Sequence, residues 1–334
     1  MCSIFGVLDY KGKLEPTQRR NMVKALSIAA EVRGTDATGI AFFNGESLRI
    51  QKAPKPAHRM KFNIPNETRY IIGHTRMTTQ GSERKKQNNH PFPGNAGGTK
   101  FALAHNGVLI NDRELALRNQ LPQTNIETDS YVAVQMIERT GAFDLQAIQQ
   151  MAEQIEGSFC FTLLDGKDNL YLVKGNNPLT IYHFEKLGFY IYASTEDILQ
   201  TGLRKAGFIH YPHKEVKINL GDIVILKADG MVARESFNTG KLDCYDNFWF
   251  GYRPYSYSLG SSTFKNSKVS TAKTMIYGTY LESLIDYAVN VGVTEEEVLY
   301  LYENGFDEKE IEALLYSPEV LHEYLEEMMV YGYI

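Results

Sequence analysis

The feature that most constrains this chain lies at its start. Cys2 follows the initiator methionine and opens a short, nearly all-apolar strand over residues 2–8. Removal of Met1 would leave a thiol and a free α-amine on one residue, with ordinary pKa values of about 8.5 and about 8, so the amine can accept the thiol proton. Cys2 thus suggests a nucleophile with its own base. The alternative is an ordinary small apolar residue that begins a strand.

Length and composition indicate a globular protein. The chain has 334 residues, 43% of them hydrophobic and 22% charged, and this length predicts one domain of about 240 residues with an appendage. No run of about 18 apolar residues is present, and no basic segment followed by an apolar one opens the chain. We therefore expect neither a membrane span nor a secretory signal, and a cytoplasmic location.

The cysteines do not suggest a metal site or a disulfide framework. Cys2, Cys160 and Cys244 are an odd, widely spaced set without a CxxC pair. A free nucleophilic thiol persists in a reducing compartment. The sequence predicts no bound metal and no organic cofactor.

The pattern of elements predicts an α+β layered fold, because many antiparallel strands have helices inserted between them. A helix is predicted from Pro16 to just before Gly34, and Asn44-Gly45 predicts a hairpin. Further strands are predicted over residues 70–74 and 101–105, and a helix from Thr128 to about Thr140. Residues 158–193 are predicted to form a four-stranded β-meander.

The C-terminal part differs in character from the rest of the chain. Residues 240–275 are rich in Tyr, Ser and Phe and predict a linker, whereas residues 276–334 have the pattern of three or four short helices. From Thr294 onward there are twelve acidic residues and one basic residue, Lys309, so this tail carries a net charge of −11 and residues 1–293 carry +6. We expect the helices to dock on a partner, a second copy or the protein's own body, and not on nucleic acid. The alternatives are a solvated helix face or a structural flap.

Six short motifs stand in a fixed order along the first 130 residues: Cys2-x-Ile4-Phe5-Gly6, Arg33-Gly34-x-Asp36-x-x-Gly39, Gly73-His74-Thr75-Arg76-x-x-Thr79, Asn89-His90-Pro91-Phe92, Ala104-His105-Asn106-Gly107 and Thr128-Asp129-Ser130. In order and spacing they resemble the motifs of the class II glutamine amidotransferases, and the resemblance covers about residues 2–235. It implies a four-layer αββα N-terminal-nucleophile (Ntn) hydrolase sandwich over residues 1–239.

The resemblance also implies a role for each motif in glutamine hydrolysis. Cys2 would attack the side-chain amide and form a γ-glutamyl thioester. The side chain of Asn106 and the backbone N–H of Gly107 would form the oxyanion hole. Glutamine itself would be bound by Arg76, Thr79 and Asp129. The supporting residues would be Arg33, Gly34, Asp36 and His74.

Simpler readings of the same residues stay open at this point. The planar fork of Arg76 suits the carboxylate of glutamine, but a surface arginine is the alternative. Asp129 would be kept ionised by its place in the first turn of a helix and would accept from the α-ammonium, although acidic residues are common at helix starts in any case. Asn106-Gly107 is also a strong signal for a β-turn.

Relatives in this family join the domain to an acceptor-binding synthase. No P-loop, pyrophosphatase motif or GxGxxG is present, and about 95 residues follow residue 239. We therefore expect a stand-alone glutaminase that passes ammonia to a separate partner. The alternatives are a hydrolase of γ-glutamyl amides or peptides, and a catalytically idle module that binds glutamine or a partner.

We predict that the mature protein begins at Cys2, because the proposed base is the α-amine that Met1 removal exposes. Aminopeptidases act when the second residue is small, as cysteine is. The intact mass of the purified protein should be lower than that of the full sequence by one methionine. Active protein that retains Met1 would contradict the self-base mechanism.

Overall fold

The computed structural model describes residues 2–242, 279–303, 308–315 and 321. Contacts divide the chain into two units, Met1–Ser256 and Tyr257–Ile334. Among the described helices, none combines the length and the apolar character that a membrane span requires.

The first unit contains two antiparallel sheets. Sheet 1 has the order β11-β9-β10-β1-β4-β2-β3. Its strands are β1 (Ser3–Leu8), β2 (Ala37–Asn44), β3 (Ser47–Ala53), β4 (Tyr70–Arg76), β9 (Thr180–Phe184), β10 (Phe189–Ala193) and β11 (Lys214–Glu215). Sheet 2 has the order β13-β12-β8-β7-β6-β5. Its strands are β5 (Phe92–Ala96), β6 (Thr99–Leu109), β7 (Gly157–Asp165), β8 (Leu170–Lys174), β12 (Asp222–Leu226) and β13 (Val232–Ser236).

Five helices cover the outer faces of the two sheets: α1 (Pro16–Ala29), α2 (Asp112–Arg118), α3 (Tyr131–Arg139), α4 (Leu145–Gln154) and α5 (Glu196–Ala206). Helices α1 and α5 share a core with sheet 1, where Leu26 and Leu203 pack with Phe5. Helices α2, α3 and α4 share a second core with sheet 2, where Ile148 packs with Phe161.

A third core fills the space between the sheets. Ile4 and Ile72 of sheet 1 meet Ala104 and Leu172 of sheet 2 there, and all four are fully buried. Each sheet is therefore apolar on both faces, as a layer between two others must be. The order of layers is helices, sheet 1, sheet 2, helices, which confirms the predicted α+β four-layer sandwich.

Several predicted elements are confirmed and some need correction. The Asn44-Gly45 hairpin joins β2 to β3 as expected. The predicted meander is wrong, because β7 and β8 pair in sheet 2 whereas β9 and β10 pair in sheet 1. The periodicity of a strand shows which of its residues share a face, but it does not show which sheet the strand joins. Strand β5 and helix α2 were not predicted.

The end of the first unit lies beyond the predicted boundary at residue 239. Phe237 and Leu242 are buried in the core of the outer helices α2–α4, and the Lys241 ammonium lies 2.6 Å from the Glu156 carboxylate. Residues 243–278, and with them most of the predicted linker, lie outside the described residues.

The second unit has a small core of its own. Its described helices are α6 (Thr279–Asn290), α7 (Glu295–Glu303) and α8 (Glu308–Leu315). Leu281, Leu284 and Ala288 form the buried face of α6. The backbone N–H of Glu297 donates to Thr294 Oγ1 at 3.3 Å, which caps the start of α7. Of the residues after Leu315, only Leu321 is among those that the structure describes.

Cys160 should contribute to stability and not to chemistry. Its side chain is fully buried between the sheets, and burial raises the pKa of its thiol to about 12. We expect Cys160→Ser to lower the free energy of unfolding by about 1–3 kcal/mol, because a hydroxyl replaces an apolar thiol in that core. Urea denaturation followed by circular dichroism measures this change. Unchanged stability would contradict the buried position.

Candidate active site

Strand alternation places predicted site residues at one end of the space between the sheets. Ile4 on β1, Ile72 on β4 and Ala104 on β6 all belong to the inter-sheet core. Side chains alternate between the two faces of a strand, so residues two or four positions apart point the same way. Continuing the alternation past this core brings four predicted residues to the same space: Cys2, His74, Arg76 and Asn106.

A cleft lies beside Cys2. It is lined by Cys2, Arg76, Met77, Thr79, Gln80, His90, His105, Gly107, Thr128, Asp129 and Ser130. Five of these are predicted site residues: Cys2, Arg76, Thr79, Gly107 and Asp129. The other predicted residues adjoin the cleft without lining it: Arg33, Gly34, Asp36, His74 and Asn106. A wider groove between α3 and α4 contains none of the predicted residues and is lined by no cysteine, serine or histidine.

Cys2 is held by its neighbours on both sides of the cleft. Its Sγ donates to the carbonyl oxygen of Met77 at 3.4 Å, and Arg33 Nε donates to the Cys2 carbonyl at 2.9 Å. Burial raises the pKa of the Cys2 thiol, and the nearby charge of Arg76 opposes that shift only in part. The thiol is therefore protonated in the resting protein near neutral pH, so nucleophilic attack would require a base.

The Arg33–Asp36 motif fixes the end of β4. A Cβ at Gly34 would lie 2.4 Å from the carbonyl carbon of Arg76, so only glycine allows this approach. The Asp36 N–H donates to the Arg76 carbonyl at 3.0 Å, and Asp36 Oδ2 accepts from the Thr78 N–H at 2.7 Å. Of the two residues expected to buttress the nucleophile, Arg33 contacts Cys2 directly and Asp36 orders the segment that follows Arg76.

Arg76 is not a surface arginine, because only 3% of it is exposed. Its guanidinium donates to Asn89 Oδ1 at 2.7 Å, to the Gln80 carbonyl at 2.6 Å and to the Gly81 carbonyl at 2.9 Å. These three bonds fix the plane of the guanidinium beside Cys2. A guanidinium has five N–H donors, so it has further capacity for an anion in the cleft.

Asn106 and Gly107 do not form a β-turn. Strand β6 continues through both residues, which pair with Cys160 and Phe159 of β7. The φ of Gly107 is 146°, and a Cβ there would lie 2.0 Å from the Ser158 carbonyl oxygen, so this position requires glycine. The turn propensity of the dipeptide is overridden by pairing with β7.

The side-chain amide of Asn106 is buried without a hydrogen-bond partner. Asn106 is 1% exposed, and neither its Oδ1 nor its Nδ2 has a partner. Its backbone carbonyl accepts from Asn177 Nδ2 at 2.8 Å, which holds the main chain in place. A buried polar group without a partner costs about 1–3 kcal/mol, so its presence beside the cleft suggests a role with a bound molecule.

Asp129 lies just before α3 instead of in its first turn. Its Oδ2 accepts from the Leu109 N–H at 2.7 Å and its Oδ1 accepts from the Ser130 N–H at 2.8 Å. Asp129 is 4% exposed, and its carboxylate is oriented by these two backbone groups rather than by the helix alone. Because a carboxylate accepts about four hydrogen bonds, it has acceptor capacity for a cation in the cleft.

Three buried histidines lie at the cleft: His90 and His105 line it and His74 lies behind them. Only His74 was singled out from the sequence. The ring centroids of His74 and His90 are 4.2 Å apart, and His74 Nε2 lies 2.9 Å from the His105 carbonyl. His105 Nδ1 lies 2.7 Å from Ser130 Oγ. Burial lowers the pKa of His74 to about 3 and that of His90 well below its usual range. Both rings are therefore neutral near pH 7.

His90 was present in a quoted motif but had no assigned role. It lines the cleft, is 3% exposed, and neither ring nitrogen has a hydrogen-bond partner. The motif that contains His90 does not indicate how far this residue lies from Cys2 in the fold. Within the described part of the chain, no group of three or more His, Cys, Asp or Glu side chains is arranged to hold a metal ion.

Comparison with known proteins identifies relatives of this sequence. Residues 74–201 match the family model described as a glutamine amidotransferase domain. A glutamine–fructose-6-phosphate aminotransferase (isomerizing) from Staphylococcus aureus is 30% identical over 259 residues, which is 74% of this chain and 40% of that protein. The enzyme of the same name from Staphylococcus epidermidis is 29% identical over 255 residues, with the same two coverages. The chain thus spans about two fifths of the length of these relatives.

Two solved structures share the fold. The glutamine phosphoribosylpyrophosphate amidotransferase from B. subtilis, complexed with ADP and GMP, aligns with a TM-score of 0.55 and 22% identity over 72% of this chain and 50% of that one. A structure titled as the allosteric regulatory enzyme of purine biosynthesis aligns with a TM-score of 0.57 and 22% identity over 76% of this chain and 53% of that one. The likeness shows that this chain shares the fold of these two structures.

Replacement of Asn106 should leave the stability of the fold nearly unchanged. Asn106→Ala removes the desolvation cost of the unpaired amide but also leaves a small cavity, and because these effects oppose each other we expect the free energy of unfolding to change by less than about 1 kcal/mol. The matched control is Asn111, which is also buried but bonds the Gln154 carbonyl and the Glu156 N–H, both at 3.0 Å. Asn111→Ala should cost about 1–3 kcal/mol. Equal losses in urea denaturation would mean that the Asn106 amide has a partner in the resting protein.

Proposed function

Because the chain belongs to the class II, N-terminal-nucleophile glutamine amidotransferase family, we propose that it hydrolyses glutamine to glutamate and ammonia through a γ-glutamyl thioester on Cys2. The observation that carries the proposal is the buried, unpaired amide of Asn106 next to the Cys2 cleft. Such an amide is a donor held ready for an oxygen that carries negative charge only during the reaction.

The charged groups of the cleft suit the two ends of the amino acid. Arg76 would bind the α-carboxylate through the N–H donors that its protein contacts leave free, and Asp129 would accept from the α-ammonium. Both side chains are buried and fixed by bonds to backbone or side-chain groups before any ligand arrives. Thr79, which is exposed at the rim of the cleft, would contact the bound glutamine from the solvent side.

The proposed reaction begins with proton transfer from the Cys2 thiol to its own α-amine, which is free once Met1 is removed. The thiolate attacks the carbon of the side-chain amide, and the resulting oxyanion accepts hydrogen bonds from Asn106 Nδ2 and the Gly107 N–H. Collapse breaks the carbon–nitrogen bond, and ammonia leaves with the proton held by the α-amine. Water then hydrolyses the thioester to glutamate. This chemistry uses no metal or organic cofactor.

We also propose that the ammonia is used by a separate acceptor-binding synthase. The relatives named as aminotransferases are longer than the segment that this chain matches. The charge of −11 from Thr294 onward supports binding of that partner, or of a second copy, through residues 276–334. We place the reaction in the cytoplasm, where a free thiol stays reduced.

Cys2→Ala and Cys2→Ser should abolish glutamine turnover, by about a thousandfold or more, because the nucleophile of a covalent mechanism is lost. Glutamate and ammonia release measure activity, and thermal unfolding should stay near that of the wild type. Cys160→Ser is the matched control and should retain its activity per folded molecule. Equal loss of activity in a folded Cys160 variant would remove Cys2 as the sole nucleophile.

The same assay separates the alternatives. Faster release from γ-glutamyl dipeptides than from glutamine would favour a γ-glutamyl hydrolase. No release from either substrate by protein that begins at Cys2 would favour an idle binding module.

Asn106→Ala should lower kcat by about 100- to 1,000-fold if its amide stabilises the oxyanion.

A further inference from the structure

Lys52 reaches from the edge of sheet 1 to the main chain behind the cleft. It lies on β3, and its ammonium donates to the Asn89 carbonyl and, at 3.0 Å, to the Pro91 carbonyl. The same ammonium lies 4.9 Å from the centre of the Phe92 ring. One side chain therefore holds the main chain of the turn 89–91 at two points.

This turn carries groups that touch the cleft. Asn89 Oδ1 accepts from Arg76 at 2.7 Å, and Asn89 Nδ2 donates to the Glu83 carbonyl at 2.7 Å. The next residue, His90, lines the cleft itself. The position of Asn89 thus affects both the guanidinium of Arg76 and the loop that follows it.

The main chain of this turn packs closely against Gly39 of β2. A Cβ at Gly39 would lie 2.1 Å from the His90 carbonyl oxygen and 2.8 Å from the Lys52 Cβ. The turn is therefore pressed against β2 on one side and fixed by Lys52 on the other. If the contact at residue 52 were weakened, the turn would shift, and Asn89 and His90 would shift with it.

We propose that Lys52 is a positioning residue for the glutamine site. It fixes the turn 89–91, and through Asn89 it sets the plane of the Arg76 guanidinium that binds the α-carboxylate. The inference rests on the proposed function for the role of Arg76. In this role Lys52 contacts neither glutamine nor the reacting atoms.

The charge of Lys52 should make this positioning depend on pH. Burial lowers the pKa of Lys52 to about 7, and the nearby cations Lys86 and Arg76 add to the shift. His74 and His90 also face it but are neutral near pH 7. Below pH 7 the ammonium donates charged hydrogen bonds to the turn, and above pH 7 a neutral amine donates weaker ones. Glutamine binding should therefore weaken as the pH rises through 7.

The first test is Lys52→Met, which keeps a long apolar side chain over Phe92 and removes the donors. We expect KM for glutamine to rise about 10-fold, the size of effect typical of losing a charged hydrogen bond, with kcat within about threefold of wild type. The matched control is Arg49→Met, which removes a positive charge from an exposed position of the same strand. It should leave KM unchanged. A fall in kcat and in thermal stability with unchanged KM would overturn the proposal.

The second test separates positioning from general packing. Lys52→Arg keeps a cation that does not titrate, so its KM should stay flat between pH 6 and pH 8.5, whereas the wild-type KM should rise. Parallel pH profiles for the two proteins would overturn the role of the Lys52 charge.

The third test does not depend on activity. Hydrogen exchange of the backbone amides of residues 77–91, without glutamine, should be faster in Lys52→Met and unchanged in Arg49→Met. A wild-type protein that does not hydrolyse glutamine would count against the proposed function, and faster exchange in Lys52→Met would then still support fixation of the turn. Unchanged exchange would overturn it.

Discussion

The alternation of side chains along β1, β4 and β6 is the constraint on which the site depends. Every second residue of these strands points into the space between the two facing sheets. These side chains are apolar except at one end of that space. The same positions there carry Cys2, Arg76 and Asn106. A shift of one residue in any of the three strands would turn its functional group toward a helical layer. The register that builds the core therefore also brings the Cys2 thiol, the Arg76 guanidinium and the Asn106 amide together.

The polar end of this inter-sheet space is costly to fold. Asn106 and His90 are buried without side-chain partners, and the pKa of Lys52 is lowered to about 7 by burial. Each of these groups loses hydration that the fold does not fully replace. Three apolar cores offset the loss, so the sandwich can hold buried polar side chains without partners beside the cleft. Such local destabilisation is expected where a site is organised before its substrate arrives.

The motif resemblance predicted the layers and five of the eleven residues that line the cleft, because short motifs are local signals. Prediction from the sequence failed where distant pairing decides the outcome. The strand predicted over residues 101–105 continues through Asn106 and Gly107, because pairing with β7 overrides the turn propensity of this dipeptide. The split of the predicted meander between two sheets has the same cause. The contact of Lys52 with Asn89 joins residues 37 positions apart, and no periodicity reports such a distance.

The structure gives a physical reason for the six motifs to occur together. Arg33 contacts the carbonyl of Cys2, and Asp36 contacts the N–H of Thr78. The remaining contacts between motifs are Gly39 against the His90 carbonyl, Arg76 to Asn89, His74 to the His105 carbonyl, and His105 to Ser130. Each motif is thus placed by at least one other. A change in one member would displace groups in the next, so the motifs act as a single contact network around Cys2, and their order along the chain follows from the order of the strands that carry them.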